Sequence, residues 1–308
     1  MILDIVVFKA IDYMFNPFQN RFGMMRKFKK NVIVEKNIIY DESDPKVCTL
    51  NTYVSTTATD KKRPVVFIVH GGGFVAGDKK YRRCLSSWFA TNTDAVVVNV
   101  NYGLGPKYLF PTPLAQLVKA LDWVYDNADK YNLDLDRVLA TGDSSGGYYV
   151  AELAALQGSE YMQQKLGLKS KLDIKALLLN CGIYDINRAL SVKVLFNMTE
   201  GVCNHFTGSK VKDIKENPYF DVISPLPNIT EKFPASCVVY AQQDFFCGGQ
   251  GEDLIAKLNE LGVYNEVYFS TRFAANHTFQ STWKGKEAVE ANNLFMDFTK
   301  RFFNCEIK

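Results

Sequence analysis

The sequence predicts an α/β fold built on a mainly parallel sheet with helices on both faces. Three observations carry this reading. Short runs rich in Val, Ile and Leu alternate along the chain with longer stretches of helical period. Several of these runs, such as 64–70 (PVVFIVH) and 95–101 (AVVVNVN), are near-continuously apolar, as strands covered on both faces are. Strands that alternate with helices form βαβ units, and their sheets are parallel.

Strands are expected at 32–40, 47–54, 64–70, 95–101, 137–141, 175–181, 236–241 and 265–270, which makes an eight-stranded sheet. Helices are expected at 112–131, 145–157, 250–261 and 286–303. In the first helix Thr112 stands as the N-cap before Pro113. Leu114, Leu117, Val118, Leu121, Val124 and Tyr125 then recur at helical spacing. Residues 183–235 break the rhythm, with a polar composition and prolines at 218, 225, 227 and 234. They read as an insertion over the top of the sheet. Residues 1–30 are aromatic and amphipathic and end in Arg21, Arg26, Lys27, Lys29 and Lys30. They read as a lid packed on that insertion, in preference to a helix lying on a membrane surface.

Composition narrows the function. The 308 residues suit one α/β domain, 1–308, with a core that needs no disulfides. A net charge of +3 offers no nucleic-acid footprint. Seven cysteines, an odd number with no CxxC pair, argue against a disulfide framework and a zinc knuckle, and fit reduced thiols in the cytoplasm. The opening MILDIVVFKAIDYMF lacks a basic n-region and an A-x-A site, so it reads poorly as an export signal. The N-x-T sequons at Asn197, Asn228 and Asn276 then carry little weight. No apolar run reaches the length of a membrane span.

Two glycine-rich turns stand at strand ends. Gly142-Asp143-Ser144-Ser145-Gly146 fits G-x-S-x-G between a strand and a helix. A serine hydroxyl becomes a nucleophile only when a base takes its proton and the backbone presents its Oγ. Only Ser144 has glycine two residues before and two after it. Ser145 would have Asp143 before it, whose side chain the tight turn resists. Ser145 begins the helix, so its N–H points at a developing oxyanion. His70-Gly71-Gly72-Gly73-Phe74 follows the strand 64–70. Its glycines let the main chain approach a ligand, and two of their N–H groups can converge on one oxygen. Sheets of this class place their sites at such strand ends.

A base is still needed, and the chain has three histidines. His70 belongs to the glycine loop, and His205 lies in the insertion with no strand behind it. His277 follows the strand 265–270, and an imidazole near neutral pKa moves protons both ways. A carboxylate should hold that imidazole in one tautomer. Asp244 comes just after the strand 236–241. Asp253 sits inside an expected helix, and Asp185 follows an earlier strand.

The chain order Ser144, Asp244, His277 is that of α/β-hydrolases. HGGGF at 70–74, GDSSGG at 142–147, HTF at 277–279, NYGLGPKYLFPTPLAQ at 101–116 and NPYFDVISPL at 217–226 together resemble the hormone-sensitive-lipase-like carboxylesterases, over about residues 60–303. The resemblance implies an α/β-hydrolase fold with a helical cap from about 1–30 and 183–235. It also implies oxyanion donors at Gly72, Gly73 and Ser145, and hydrolysis of short- to medium-chain esters without cofactor or metal. The chain departs from the family pattern at Gly103, Ser145, Tyr148 and Asp244-Phe245-Phe246. These positions bear on pocket shape and leave the reaction class alone. Phe196, Phe206, Tyr219, Phe220, Phe245 and Phe246 supply aromatic surface near the cap, most of it expected as cap core. An amidase or formamidase is the competing enzyme reading, and a non-catalytic small-ligand receptor the third. A small-molecule ester is the expected partner, and a homodimer stays open.

Overall fold

In a computed structural model, which describes residues 3–21, 31–57, 61–192 and 198–307, all eight expected strands form one sheet. They are β1 (Val32–Ile39), β2 (Thr49–Ser55), β3 (Arg63–Val69), β4 (Val96–Val100), β5 (Leu133–Asp143), β6 (Ala176–Asn180), β7 (Ala235–Ala241) and β8 (Asn265–Ser270). The sheet order is β1-β2-β4-β3-β5-β6-β7-β8. β2 runs antiparallel to β1 and to β4, and the other pairings are parallel.

The described helices are α1 (Leu3–Arg21), α2 (Arg83–Asn92), α3 (Thr112–Asp126), α4 (Ser145–Gly158), α5 (Glu160–Leu166), α6 (Ile186–Ser191), α7 (Met198–Thr207), α8 (Gln250–Glu260) and α9 (Lys286–Phe303), besides shorter turns. The period-two alternation of β3 divides the core. Val65, Phe67 and Val69 join Leu114, Leu117 and Leu121 of α3, the apolar face of α4, and Leu254 and Leu258 of α8. Val66 and Ile68 face the other way, with Trp88 and Phe89 of α2 and Phe295, Phe298 and Phe302 of α9. Each such fully buried side chain stabilises the fold by about 1.5–3 kcal/mol.

Two expectations change. The helix expected over 112–131 is broken once: α3 ends at Asp126, the chain turns at Asn127, and a short helix, Ala128–Tyr131, carries it on to Asn132, whose φ is +52°. Pro111, not Thr112, holds its cap position. The basic residues Arg26, Lys27, Lys29 and Lys30, together with Phe196 and Asn197, lie outside the described residues. α1 packs on α7, on α2, on the 3-10 turn Lys79–Arg82 and on the 3-10 turn Phe279–Thr282. Among the described residues no helix is long and apolar enough to cross a membrane.

Candidate active site

Ser144 sits where β5 gives way to α4, at φ +53° and ψ −124°. A non-glycine residue there is strained, and the surroundings must hold it. Its N–H donates to the Asn180 carbonyl at 2.9 Å, and its own carbonyl accepts from the Tyr148 N–H at 3.1 Å. The flanking glycines are sterically required. A Cβ on Gly142 would lie 2.3 Å from the Gly146 carbonyl carbon, and one on Gly146 would lie 2.3 Å from the Val69 oxygen. The two serines separate by exposure: Ser144 is 9% exposed and lines a cavity, whereas Ser145 is 0% exposed.

The glycine loop lies against this turn. A Cβ on Gly71 would come within 3.1 Å of the Ser144 Cβ. Gly72 and Gly73 both have positive φ, +143° and +60°. The Gly72 carbonyl accepts from the Ala76 N–H at 2.9 Å, which closes the turn. His70 is buried, with its ring stacked on Tyr102 at 4.5 Å. Burial lowers its pKa to about 4, against the hydrogen bond to the Gly71 carbonyl, so the ring is neutral and anchors the loop.

Asp244 and His277 meet at the heads of β7 and β8. His277 Nδ1 lies 3.0 Å from each oxygen of the Asp244 carboxylate. Asp244 also accepts from the N–H groups of Phe246 at 3.0 Å and Cys247 at 2.8 Å. Burial opposes its charge, but His277 and these two donors outweigh burial and hold the carboxyl below its ordinary range. The rival acids are engaged elsewhere. Asp185 caps α6 through the Asn187 N–H at 2.8 Å, and Asp253 pairs with Arg188 at 2.6 Å. His205 is buried in α7 and is not among the residues lining the cavity.

A buried amide relay joins the serine turn to the histidine loop. Asn180, whose carbonyl holds Ser144, donates from Nδ2 to Gln280 Oε1 at 2.9 Å. Gln280 Nε2 in turn donates to Asn292 Oδ1 of α9 at 2.6 Å. Sequence reasoning missed this relay, as well as the pairing of Asp143 with Arg82, whose Nε donates to Asp143 Oδ1 at 2.6 Å. The acid beside Ser144 therefore has a partly buried cation of its own. Asp12 of α1 faces this pair. Burial raises its carboxyl to about 6 in spite of Arg82.

The cavity has a volume of about 670 Å³ with its open mouth included, and its lining is mainly apolar. Ser144, Gly73 and Phe74 form one wall, and Phe8 of α1 another. Ile186 and Leu190 of α6, and Met198, Val202 and Phe206 of α7, also line it. Of the aromatics expected near the cap, Phe206 and Phe246 line the cavity, while Phe245 is half exposed and Tyr219 packs on Phe110. Phe246 also meets the His277 ring at 5.0 Å.

Comparison with known proteins agrees with this fold. The alpha/beta hydrolase fold family matches residues 66–281. Arylacetamide deacetylase of Bos taurus is 33% identical over 148 residues, 47% of this chain and 36% of that protein. Esterase LipI of Mycobacterium tuberculosis is 36% identical over 103 residues, 33% of this chain and 32% of that protein. These matches span well under half the length of the relatives. Esterase B from Lactobacillus rhamnosis superposes with a TM-score of 0.76 at 20% identity, over 92% of this chain and 96% of that one. A bacterial heroin esterase superposes with a TM-score of 0.76 at 17% identity, over 95% and 90%. At such identities the structural likeness is one of fold. The motifs, the fold and the family match together place this chain in the alpha/beta hydrolase fold family, in its hormone-sensitive-lipase-like branch.

Proposed function

We propose that this chain is a serine carboxylesterase in which Ser144 is the nucleophile, His277 the general base and Asp244 its orienting carboxylate. The observation that carries the reading is the Asp244–His277 hydrogen bond, made at the same end of the sheet as the strained Ser144 turn. His277 takes the Ser144 proton as Oγ attacks the acyl carbon. The N–H groups of Gly72, Gly73 and Ser145 receive the oxyanion, each donor contributing roughly 2.7–4 kcal/mol to barrier lowering. His277 then protonates the leaving alcohol, and water repeats the sequence on the acyl-enzyme. The apolar cavity beside Ser144 supports short- to medium-chain acyl groups. α1 and the segment 183–235 act as a cap on a single domain. The free, mostly buried cysteines support a reducing compartment.

Amide cleavage is the second reading. The name of the mammalian relatives, arylacetamide deacetylase, supports it. Rates on a matched p-nitrophenyl ester and p-nitroanilide distinguish the two. A kcat/KM higher on the ester is expected, and one higher on the anilide makes the chain an amidase. Ser144→Ala is expected to lower p-nitrophenyl butyrate hydrolysis on the order of 10⁵–10⁶-fold, with folding unchanged. Retained activity would refute the assignment.

A further inference from the structure

Beside the proposed catalytic pair lies a third metal-binding side chain that the reaction does not use. Cys181 follows the last residue of β6, with its N–H donating to the Val239 carbonyl at 2.8 Å. Its φ is +46°, a strained value for a residue with a Cβ, and its side chain is buried. Cys181 Sγ, an Asp244 carboxylate oxygen and a His277 ring nitrogen all lie within 4.8 Å of one another.

We propose that Cys181, Asp244 and His277 form an inhibitory binding site for a borderline-soft divalent cation of the Zn2+ class. The inference rests on the reading of His277 as the general base. Thiolate, imidazole and carboxylate together suit Zn2+ and disfavour Mg2+ or Ca2+, which take oxygen ligands. The geometry is close to what the ion needs. With Zn–N and Zn–O bonds of about 2.0–2.2 Å, tetrahedral neighbours lie roughly 3.3–3.6 Å apart. His277 Nδ1 already stands 3.0 Å from both Asp244 oxygens, so the pair opens by tenths of an ångström while the sulfur closes in. The fourth position stays open to water. His277 is the partly exposed member of the three, and Phe246, which packs on its ring, lines the cavity.

Binding changes the tautomer of the base. The Cys181 thiol gives its proton to solvent, and Sγ donates an electron pair to the cation. The Nδ1 proton leaves, Nδ1 donates its pair to the cation, and Nε2 takes up a proton. One proton is released per ion bound. Nε2 then carries hydrogen and cannot accept the Ser144 proton, so hydrolysis stops until the ion is removed.

The test uses the full chain, freed of metal by chelation and titrated with Co2+ as spectroscopic probe. Hydrolysis of p-nitrophenyl butyrate is followed in parallel with Zn2+ and then EDTA. The wild-type protein is expected to develop a thiolate-to-cobalt charge-transfer band and to lose activity reversibly with Zn2+. Cys181→Ala is expected to hydrolyse the ester as before, and to lose at least about tenfold in affinity for both ions. Cys181→Ser covers the case in which alanine impairs folding, and Cys247→Ala should keep the band. A wild-type protein without the band overturns the proposal, as does a band that survives both Cys181 variants or disappears with Cys247→Ala. A Cys181-dependent band with undiminished hydrolysis at saturating Co2+ upholds the metal site and overturns His277 as base.

Discussion

At the scale of single residues, the adjacent serines have different fates although their chemistry is identical. The glycine spacing in GDSSGG singles out Ser144, and the structure gives the reason. The glycines at 142 and 146 touch backbone where no Cβ fits. Ser145 has a fully buried side chain, and its proposed part is played by its N–H. Ser145→Ala is therefore expected to keep kcat/KM within about tenfold of wild type, since a lost oxyanion donor costs roughly 10²–10³ in kcat and this substitution keeps the donor. A loss as large as that of Ser144→Ala would move the nucleophile or the donor assignment. The positions of His70, Asp244 and His277 beyond strand ends were legible because each comes after an apolar run in the sequence. Arg82, Gln280 and Cys181 were not, because their roles arise from contacts between distant segments. Arg82 meets Asp143 across 61 positions, and Asn180 meets Gln280 across 100.

At the scale of elements, all eight strands were legible from their apolar runs. β5 begins at Leu133, earlier than its apolar stretch suggests, because its first residues include the polar Asp134, Asp136 and Arg137. α2 gave no clear signal, since its sequence RCLSSWFATN buries serines at 86 and 87 together with Trp88 and Phe89. α1 has the more direct bearing on function. Its Phe8 ring occupies the space a Cβ on Gly73 would enter, and it packs on Phe246 at 5.9 Å. Phe8→Ala enlarges the cavity beside the proposed oxyanion loop. Each further methylene accommodated there contributes about 0.8 kcal/mol, or roughly fourfold in kcat/KM. The variant is expected to raise the octanoate-to-butyrate ratio of kcat/KM. An unchanged ratio would place the acyl chain elsewhere, along α6 and α7.

At the scale of the whole molecule, two buried titratable groups give stability opposite pH slopes. Both oxygens of Glu152, in α4, lack a hydrogen-bond partner among the described residues, and burial raises its pKa well above the ordinary value. A raised folded pKa gives stability that is full below the unfolded value near 4.3 and is lost as pH rises through the folded value. Glu152→Gln keeps the shape and removes the titration. It is expected to raise the Tm at pH 9 relative to wild type, with a smaller difference at pH 5. A variant less stable than wild type at both pH values would mean that the carboxyl has a partner. His70 acts in the other direction. Its pKa of about 4 in the fold, against about 6.5 unfolded, gives stability that is full above 6.5 and is lost as pH falls toward 4. A Tm that declines across this window is expected, and one that holds constant would place His70 in contact with solvent.

Covalent trapping tests most directly whether Ser144 is the nucleophile. The protein is incubated with a fluorophosphonate and the adduct is located by intact mass and peptide mapping. A single adduct on Ser144 is expected, present in Ser145→Ala and absent in Ser144→Ala. Labelling at Ser145 or another residue, or no labelling of a folded protein that hydrolyses esters, would contradict it.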